Sequence, residues 1–263
     1  MSLSSEKLRG KVCVVTGAAK SIGFGIAEKF AEQGAKTVLL DIDPAVLESA
    51  KTLKDRGFSV WGYTADISDR QAVLDLFDKI VKTAGNIYCL CNVAGIVDQR
   101  PFLEYTEADF ERLFRVNVYG TAWCCQGAIP SMIAAGEGGK IVNFSSKSGK
   151  TGSALMVPYS SAKGAIIAMT HALAFEYAKN KINVNCICPG ITDATGVWAN
   201  VSDGYIHNLK LPRDEVVQKF TAKIPLGRLT TIEDVVEYVF FLVSEGDYCT
   251  GQAINISGGR EVH

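Results

Sequence analysis

Seven apolar runs rich in β-branched residues punctuate the chain: KVCVVT at 11–16, KTVLLD at 36–41, FSVWGYTAD at 58–66, NIYCLCNVAG at 86–95, GKIVNFSS at 139–146, INVNCICPG at 182–190 and AINISGG at 253–259. Short runs of this kind, with little polar alternation, read as strands covered on both faces, the mark of a parallel sheet. Between most of them apolar positions recur at every third or fourth residue. That period predicts helices over Ile22–Gln33, Pro44–Arg56, Arg70–Thr83, Glu107–Ala135 and Tyr159–Lys179. The longest apolar run, VVEYVFFLV at Val235–Val243, is closed by Asp234 and Ser244. It falls far short of the ~20 residues of a membrane span and reads as a buried helix. Strands alternating with helices imply right-handed crossovers and a doubly wound α/β sheet with helices on both faces. No linker, repeat or low-complexity tract divides the chain, so a single domain over 1–263 is expected.

Composition adds exclusions. With 27 Lys+Arg against 28 Asp+Glu the net charge is −1, and the basic residues are scattered, so nucleic acid is not an expected partner. The N-terminal MSLSSEKLRG has no apolar stretch of the kind a secretory signal needs, which makes the cytoplasm the expected address. Eight cysteines include Cys89/Cys91 and Cys186/Cys188, each pair on one face of a strand. Without a C-x-x-C spacing or a histidine cluster they read as small core residues, and no metal is expected.

Chemistry enters at the first strand-to-helix turn, TGAAKSIGFGIA. A glycine-rich turn that feeds a helix N-terminus lets backbone N–H groups and the helix dipole meet a pyrophosphate, and Gly17 and Gly23 suit that task. Asp41 ends the second strand, where a carboxylate can accept hydrogen bonds from an adenosine ribose. A second constellation lies in SSKSGKTGSALMVPYSSAKGA, where Ser146 precedes Tyr159 and Lys163 stands four residues beyond.

Together these residues resemble the short-chain dehydrogenase/reductase family over almost the whole chain. The resemblance rests on the turn Thr16–Gly23, Asp66 after the third strand, NVAG at Asn92–Gly95, Asn117 in RVNVYG, Ser146, Tyr159-x-x-x-Lys163 and the pair Pro189–Gly190. It implies a Rossmann-type sheet of seven mostly parallel strands and a catalytic tetrad of Asn117, Ser146, Tyr159 and Lys163. It implies a nicotinamide cofactor contacted by Gly17, Lys20, Ser21, Ile22, Gly23, Asp41, Asp66, Ile67, Asn92, Ala94, Gly95, Pro189, Gly190, Ile191 and Thr192, with Tyr159 and Lys163. Ser21 departs from the family at its middle glycine, and Val93 replaces a second asparagine. Lys20 resembles NADP-preferring members and Asp41 NAD-preferring ones. Asp41 would face a 2′-phosphate directly, so NAD is expected over NADP.

Hydride transfer at a carbinol carbon must be coupled to proton transfer at its oxygen. Tyr159 is the expected acid/base, and Lys163 lies one helical turn away on the same face. At ~4 Å and an effective dielectric of ~20, the ammonium would favour the phenolate by about 4 kcal/mol, enough to lower the phenol by roughly three pKa units. The resemblance further implies that Lys163 bonds the nicotinamide ribose, Ser146 orients the substrate oxygen and Asn117 holds a water relay. Residues 192–223 correspond to the family's substrate lid and include Asp193, Trp198, Asn200, Asp203, Tyr205 and His207, with Arg213 also in the lid. Together with Asp98, Gln99, Lys147 and Lys150 they suggest a polar site. Within the family SKSGKTGS, KIPLGR and DYCTGQAINISGG are most similar to sugar-alcohol dehydrogenases of the sorbitol-6-phosphate 2-dehydrogenase type. A polyol or its phosphate is therefore the expected substrate. A 3-oxoacyl-carrier-protein reductase is the alternative, and a non-catalytic nicotinamide-binding regulator the remote one. The small-residue-rich segment SAKGAIIAMTHALAFEYA is apolar on more than one face and implies, by resemblance, a homotetramer.

Overall fold

The seven apolar runs form seven parallel strands of one sheet: β1 (Val12–Thr16), β2 (Lys36–Asp41), β3 (Val60–Thr64), β4 (Ile87–Asn92), β5 (Gly139–Phe144), β6 (Ile182–Pro189) and β7 (Ala253–Ile256). Their order across the sheet is β3-β2-β1-β4-β5-β6-β7, so the winding direction reverses between β1 and β4. The structure, a computed structural model, describes residues 7–193 and 212–263, and for residues 213, 214, 216 and 217 the backbone alone.

Period-two alternation along β1 divides the core. Cys13 and Val15 face a layer with Ile26 and Phe30 of helix α1 (Ser21–Glu32) and Leu53 of α2 (Ala45–Asp55). Val12 and Val14 face the opposite layer, with Phe77 and Ile80 of α3 (Arg70–Ala84). Each such side chain contributes about 1.5–3 kcal/mol through burial. Strand burial is therefore two-sided in the middle of the sheet, as the unbroken apolar runs require.

Two helices differ from their expected outlines. The span Glu107–Ala135 is not one α-helix: α4 (Glu107–Phe114) passes through a π-helical turn at Arg115–Gly120 into α5 (Thr121–Ala135). Gly120, where the turn ends, leaves room for Ile67, since a Cβ there would stand 2.7 Å from the Ile67 side chain. After the short α6 (Lys147–Thr151), α7 runs over Val157–Tyr177 and begins ahead of Tyr159 because Pro158 fits a first helical turn. The helix α8 (Arg213–Thr221) precedes α9 (Ile232–Ser244). The run Val235–Val243 is buried on one side only: Val239 and Leu242 lie in the core, while Tyr238 and Phe241 stay exposed. No helix among the described residues is long and apolar enough to cross a membrane.

Helices α3 and α5 meet at Gly127, where an added Cβ would lie 2.6 Å from the Phe77 ring. Gly127→Val should destabilise the fold by about 1–3 kcal/mol through overpacking, measured by denaturant unfolding. Unchanged stability would contradict this close approach.

Candidate active site

The carboxyl ends of β1, β2, β4, β5 and β6 converge on the crevice beside the reversal point, where ligands of open parallel sheets bind. On its β1 side the turn Gly17–Ser21 is shaped for close backbone approach. Gly17 has φ +66° and sits so near the loop after β4 that a Cβ would come within 2.8 Å of Ala94. Gly23 packs on the Gly17 carbonyl with no room for a side chain. Ser21 adopts φ +58°, the left-handed conformation that a glycine would accept without strain. Its hydroxyl is buried without a hydrogen-bond partner at the head of α1. An unpaired hydroxyl beside helix N–H groups suits a phosphate oxygen, so these residues fit a dinucleotide pyrophosphate.

Asp41 is held from two sides. Its carboxylate accepts the backbone N–H groups of Ala19 and Asp43, each at 2.9 Å, which ties the glycine turn to the end of β2. Two lone pairs remain for a ribose diol. Lys20 is 76% exposed and lies 3.9 Å from Asp43, a contact of little strength. Asp66 caps its own turn by accepting the Ser68 N–H, and Ile67 is buried against Gly120. Ile22 packs partly buried on the core.

The loop after β4 is fastened at both ends. Ala94 donates its N–H to Thr16, and Asn92 bonds Asn143 across to β5 while its own Oδ1 stays buried and unpaired. Asn117, at the middle of the π turn, takes Ile96 in both directions: Nδ2 donates to the Ile96 carbonyl at 2.9 Å and Oδ1 accepts its N–H at 3.1 Å. Nδ2 also donates to Leu113. The side chain is thus spent on backbone, while the Asn117 carbonyl accepts Thr121 Oγ1.

Gly95 lies at the meeting point of Asn117 and Lys163. A Cβ there would stand 2.6 Å from Asn117 Oδ1 and 3.3 Å from Lys163 Nζ. The Lys163 ammonium donates to the Phe144 carbonyl at 2.7 Å and lies 5.8 Å from the centre of the Tyr159 ring. Ser145 holds the lysine's own carbonyl, and Gly149 lets α6 pack against it where any side chain would collide. Ser146 caps α6 by accepting the Ser148 N–H, and its hydroxyl lies near enough to the Tyr159 phenol to favour the phenolate.

The expected lowering of Tyr159 is not found. Burial pushes its phenol up to about 12, with the Ser146 hydroxyl acting in the opposite direction. Burial also depresses Lys163, to about 8. The physical reason is loss of solvent: burial disfavours the phenolate and the ammonium alike and outweighs their proximity. Proximity along the helix face does not by itself lower the phenol.

On the β6 side, the Gly190 N–H donates to Ile256 of β7, and Ile191 accepts the N–H of Thr230. Thr192 is buried and bridges to Thr230. Ile191, Val97, Met156, Phe220, Ile224 and Leu229 pack around Tyr159, so the described wall next to the phenol is apolar. Two polar candidates prove to be engaged elsewhere. Asp98 is ion-paired with Arg100 at 2.6 Å and Arg112 at 2.7 Å, and Lys150 donates to the Ala253 carbonyl at 2.6 Å. Gln99 has both amide atoms buried and unpaired. Trp198, Asn200, Asp203, Tyr205, His207 and the side chain of Arg213 lie outside the described residues.

This geometry has known counterparts. A family model described as "Enoyl-(Acyl carrier protein) reductase" matches residues 17–261. The chain is 34% identical to a sorbitol dehydrogenase from Cereibacter sphaeroides over 256 residues, covering 97% of this chain and 98% of the relative. It is 35% identical to a galactitol 2-dehydrogenase from Agrobacterium fabrum over the same length and shares. A 3-oxoacyl-[acyl-carrier-protein] reductase from Aquifex aeolicus is 34% identical over 261 residues, 96% of this chain and 98% of that one. The chain belongs to the short-chain dehydrogenase/reductase family. A crystal structure of NAD+-bound xylitol dehydrogenase superimposes with a TM-score of 0.91 at 31% identity, over 96% of this chain and 100% of that one. The protein is thus a nicotinamide-dependent oxidoreductase acting on CH–OH groups.

The burial of Lys163 generates a direct prediction. Its amine should titrate with a midpoint near 8 in the cofactor-free protein. Reductive methylation with a carbon-13 label and NMR titration would read it, the signal being assigned by its loss in Lys163→Arg. A midpoint at the ordinary lysine value would contradict the burial of this group.

Proposed function

We propose that this short-chain dehydrogenase/reductase oxidises a secondary alcohol of a polyol or polyol phosphate to the ketose, with NAD as cofactor. The observation that carries the chemistry is the buried convergence of Ser146, Tyr159 and Lys163 at the carboxyl end of β5. The polyol reading draws on the similarity to the sorbitol and galactitol dehydrogenases. The similarity to a 3-oxoacyl-carrier-protein reductase supports the second reading, a ketoreductase of acyl thioesters, to which the apolar wall around Tyr159 also lends weight.

When bound, the oxidised nicotinamide supplies a hydride acceptor and a positive charge. Tyr159 takes the hydroxyl proton of the substrate as the hydride leaves the carbinol carbon, and returns it in the reverse direction. Ser146, whose hydroxyl favours the phenolate, orients the substrate oxygen. Lys163, held by the Phe144 carbonyl, would bond the cofactor ribose when the cofactor binds, and its charge would favour the phenolate. Asn117 fixes the Ile96 loop beside the reacting groups. Gly17, Ser21 and Gly23 receive the pyrophosphate, and Ile191 and Thr192 the carboxamide end. Asp41 receives the adenosine ribose and repels a 2′-phosphate, since Lys20 is exposed and near Asp43.

Assembly belongs to the same reading. Phe175 on α7 is 87% exposed and Tyr119 on the π turn 51%, a surface suited to pairing between copies. A homotetramer is expected by light scattering, and a monomeric particle of 28.3 kDa would contradict it.

The kinetic test uses sugar alcohols, their phosphates and acetoacetyl thioesters with both cofactors. Efficient turnover of acyl thioesters alone would overturn the polyol reading. Tyr159→Phe should cut turnover by about 10²–10⁴ with cofactor affinity little changed, and retained turnover would overturn the mechanism. Asp41→Ala should narrow the preference for NAD, whereas a native enzyme more efficient with NADP would refute the role of Asp41.

A further inference from the structure

The C-terminal segment after β7 turns back over the carboxyl edge of the sheet. Gly258 and Gly259 adopt φ of +63° and +88°, and Gly258 lies so close to Ile224 that a side chain would collide. The Glu261 N–H donates to Ser257, while the Glu261 carbonyl accepts from Asn255. This places Arg260 with its guanidinium 5.6 Å from the Phe220 ring, and Phe220 packs in the cluster that contains Tyr159. Arg260 is thereby one aromatic ring away from the proposed acid/base.

The polar atoms there are incompletely paired. Arg260 Nε meets Glu261 Oε1 at 3.3 Å, with the two side chains 15% and 6% exposed. Arg260 Nη1 and Glu261 Oε2 are buried without any partner. Lys147, next after Ser146, is half-buried and its amine is depressed by burial and then by the charges of Arg260 and Lys223, with Glu261 opposing. Lys147 thus feels the charge of Arg260, whose carboxylate partner Glu261 is already engaged. Unpaired buried donors cost about 1–3 kcal/mol each, a cost that a bound acceptor removes.

We propose that Arg260 and Lys147 form a subsite for an anionic group of the substrate, with Glu261 Oε2 accepting a hydroxyl beside it. The substrate is then a hydroxylated molecule carrying a phosphate, carboxylate or sulfonate at the end remote from the reacting carbinol. An oxyanion gives Arg260 Nη1 a charge-assisted hydrogen bond and relieves the repulsion between Arg260 and Lys147. The inference deepens the polyol reading and selects its charged members.

The test is calorimetric titration of inorganic phosphate into the protein saturated with NAD, so that the pyrophosphate site is filled. Wild type should bind one phosphate per chain. Arg260→Gln and Lys147→Gln should each weaken it about tenfold, and Arg260→Lys should restore part of the loss, which distinguishes charge from folding. Absence of phosphate binding, or binding that neither Gln variant changes, overturns the subsite. A paired kinetic measurement compares a hexitol with its phosphate: the Gln variants should raise KM for the phosphate alone, with kcat little altered. Equal effects on both substrates also overturn it. If the hexitol is oxidised through Tyr159 while phosphate does not bind, the subsite fails and the polyol reading stands. If phosphate binds through Arg260 and Lys147 while no polyol is oxidised, the subsite stands and the polyol reading fails.

Discussion

An ammonium group buried in the protein interior organises the site. Lys163 is 5% exposed, and its hydrogen bond to the Phe144 carbonyl anchors α7 to the end of β5. That anchor brings the Lys163 backbone against Ser145 and Gly149, sets Gly95 against the amine, and leaves Tyr159 over the crevice. Burial has an electrostatic consequence: it opposes charge on the lysine and on the phenol alike. The pair is poised with both groups resisting ionisation until further positive charge arrives, and a bound oxidised nicotinamide is the group that would bring it.

The remaining architecture serves to hold backbone close. Gly17, Gly95, Gly120 and Gly149 each occupy a contact that a Cβ would break, and each joins a different pair of elements around the crevice. Asp41 and Asn117 use side-chain atoms to fasten loops, which makes them positioning groups as well as ligands in waiting. The crevice is therefore built before any ligand enters, and orientation costs little when one does.

Much of this was legible in the chain. The apolar runs located all seven strands because two-sided burial leaves an uninterrupted signal, although most runs reach past their strands, as at Val93–Gly95, Ser145–Ser146 and Ser257–Gly259, which turn into the loops at the carboxyl edge. Alternation of strand and helix implied the parallel sheet, and the family resemblance supplied its seven-stranded Rossmann form. The π turn at Arg115–Gly120 was not legible, since its helical period continues and only contact with Ile67 explains Gly120. Local sequence also misjudged the phenol: four-residue spacing gives proximity, but the loss of solvent around both groups is a property of the folded whole. Asp98 and Lys150 read as substrate contacts because their loops are near the site, yet Arg100, Arg112 and the Ala253 carbonyl take them up. Arg260 went unmarked because only the double-glycine reversal carries the tail back to the crevice.

The central claim is that cofactor charge, rather than Lys163 alone, brings Tyr159 into a useful range. Phenolate absorbance of the wild type minus that of Tyr159→Phe, followed against pH with and without saturating NAD, measures it directly. The account predicts a midpoint of about 12 in the free protein and a marked fall when NAD is bound. A midpoint that NAD leaves unmoved, or one already near neutrality in the free protein, would contradict it.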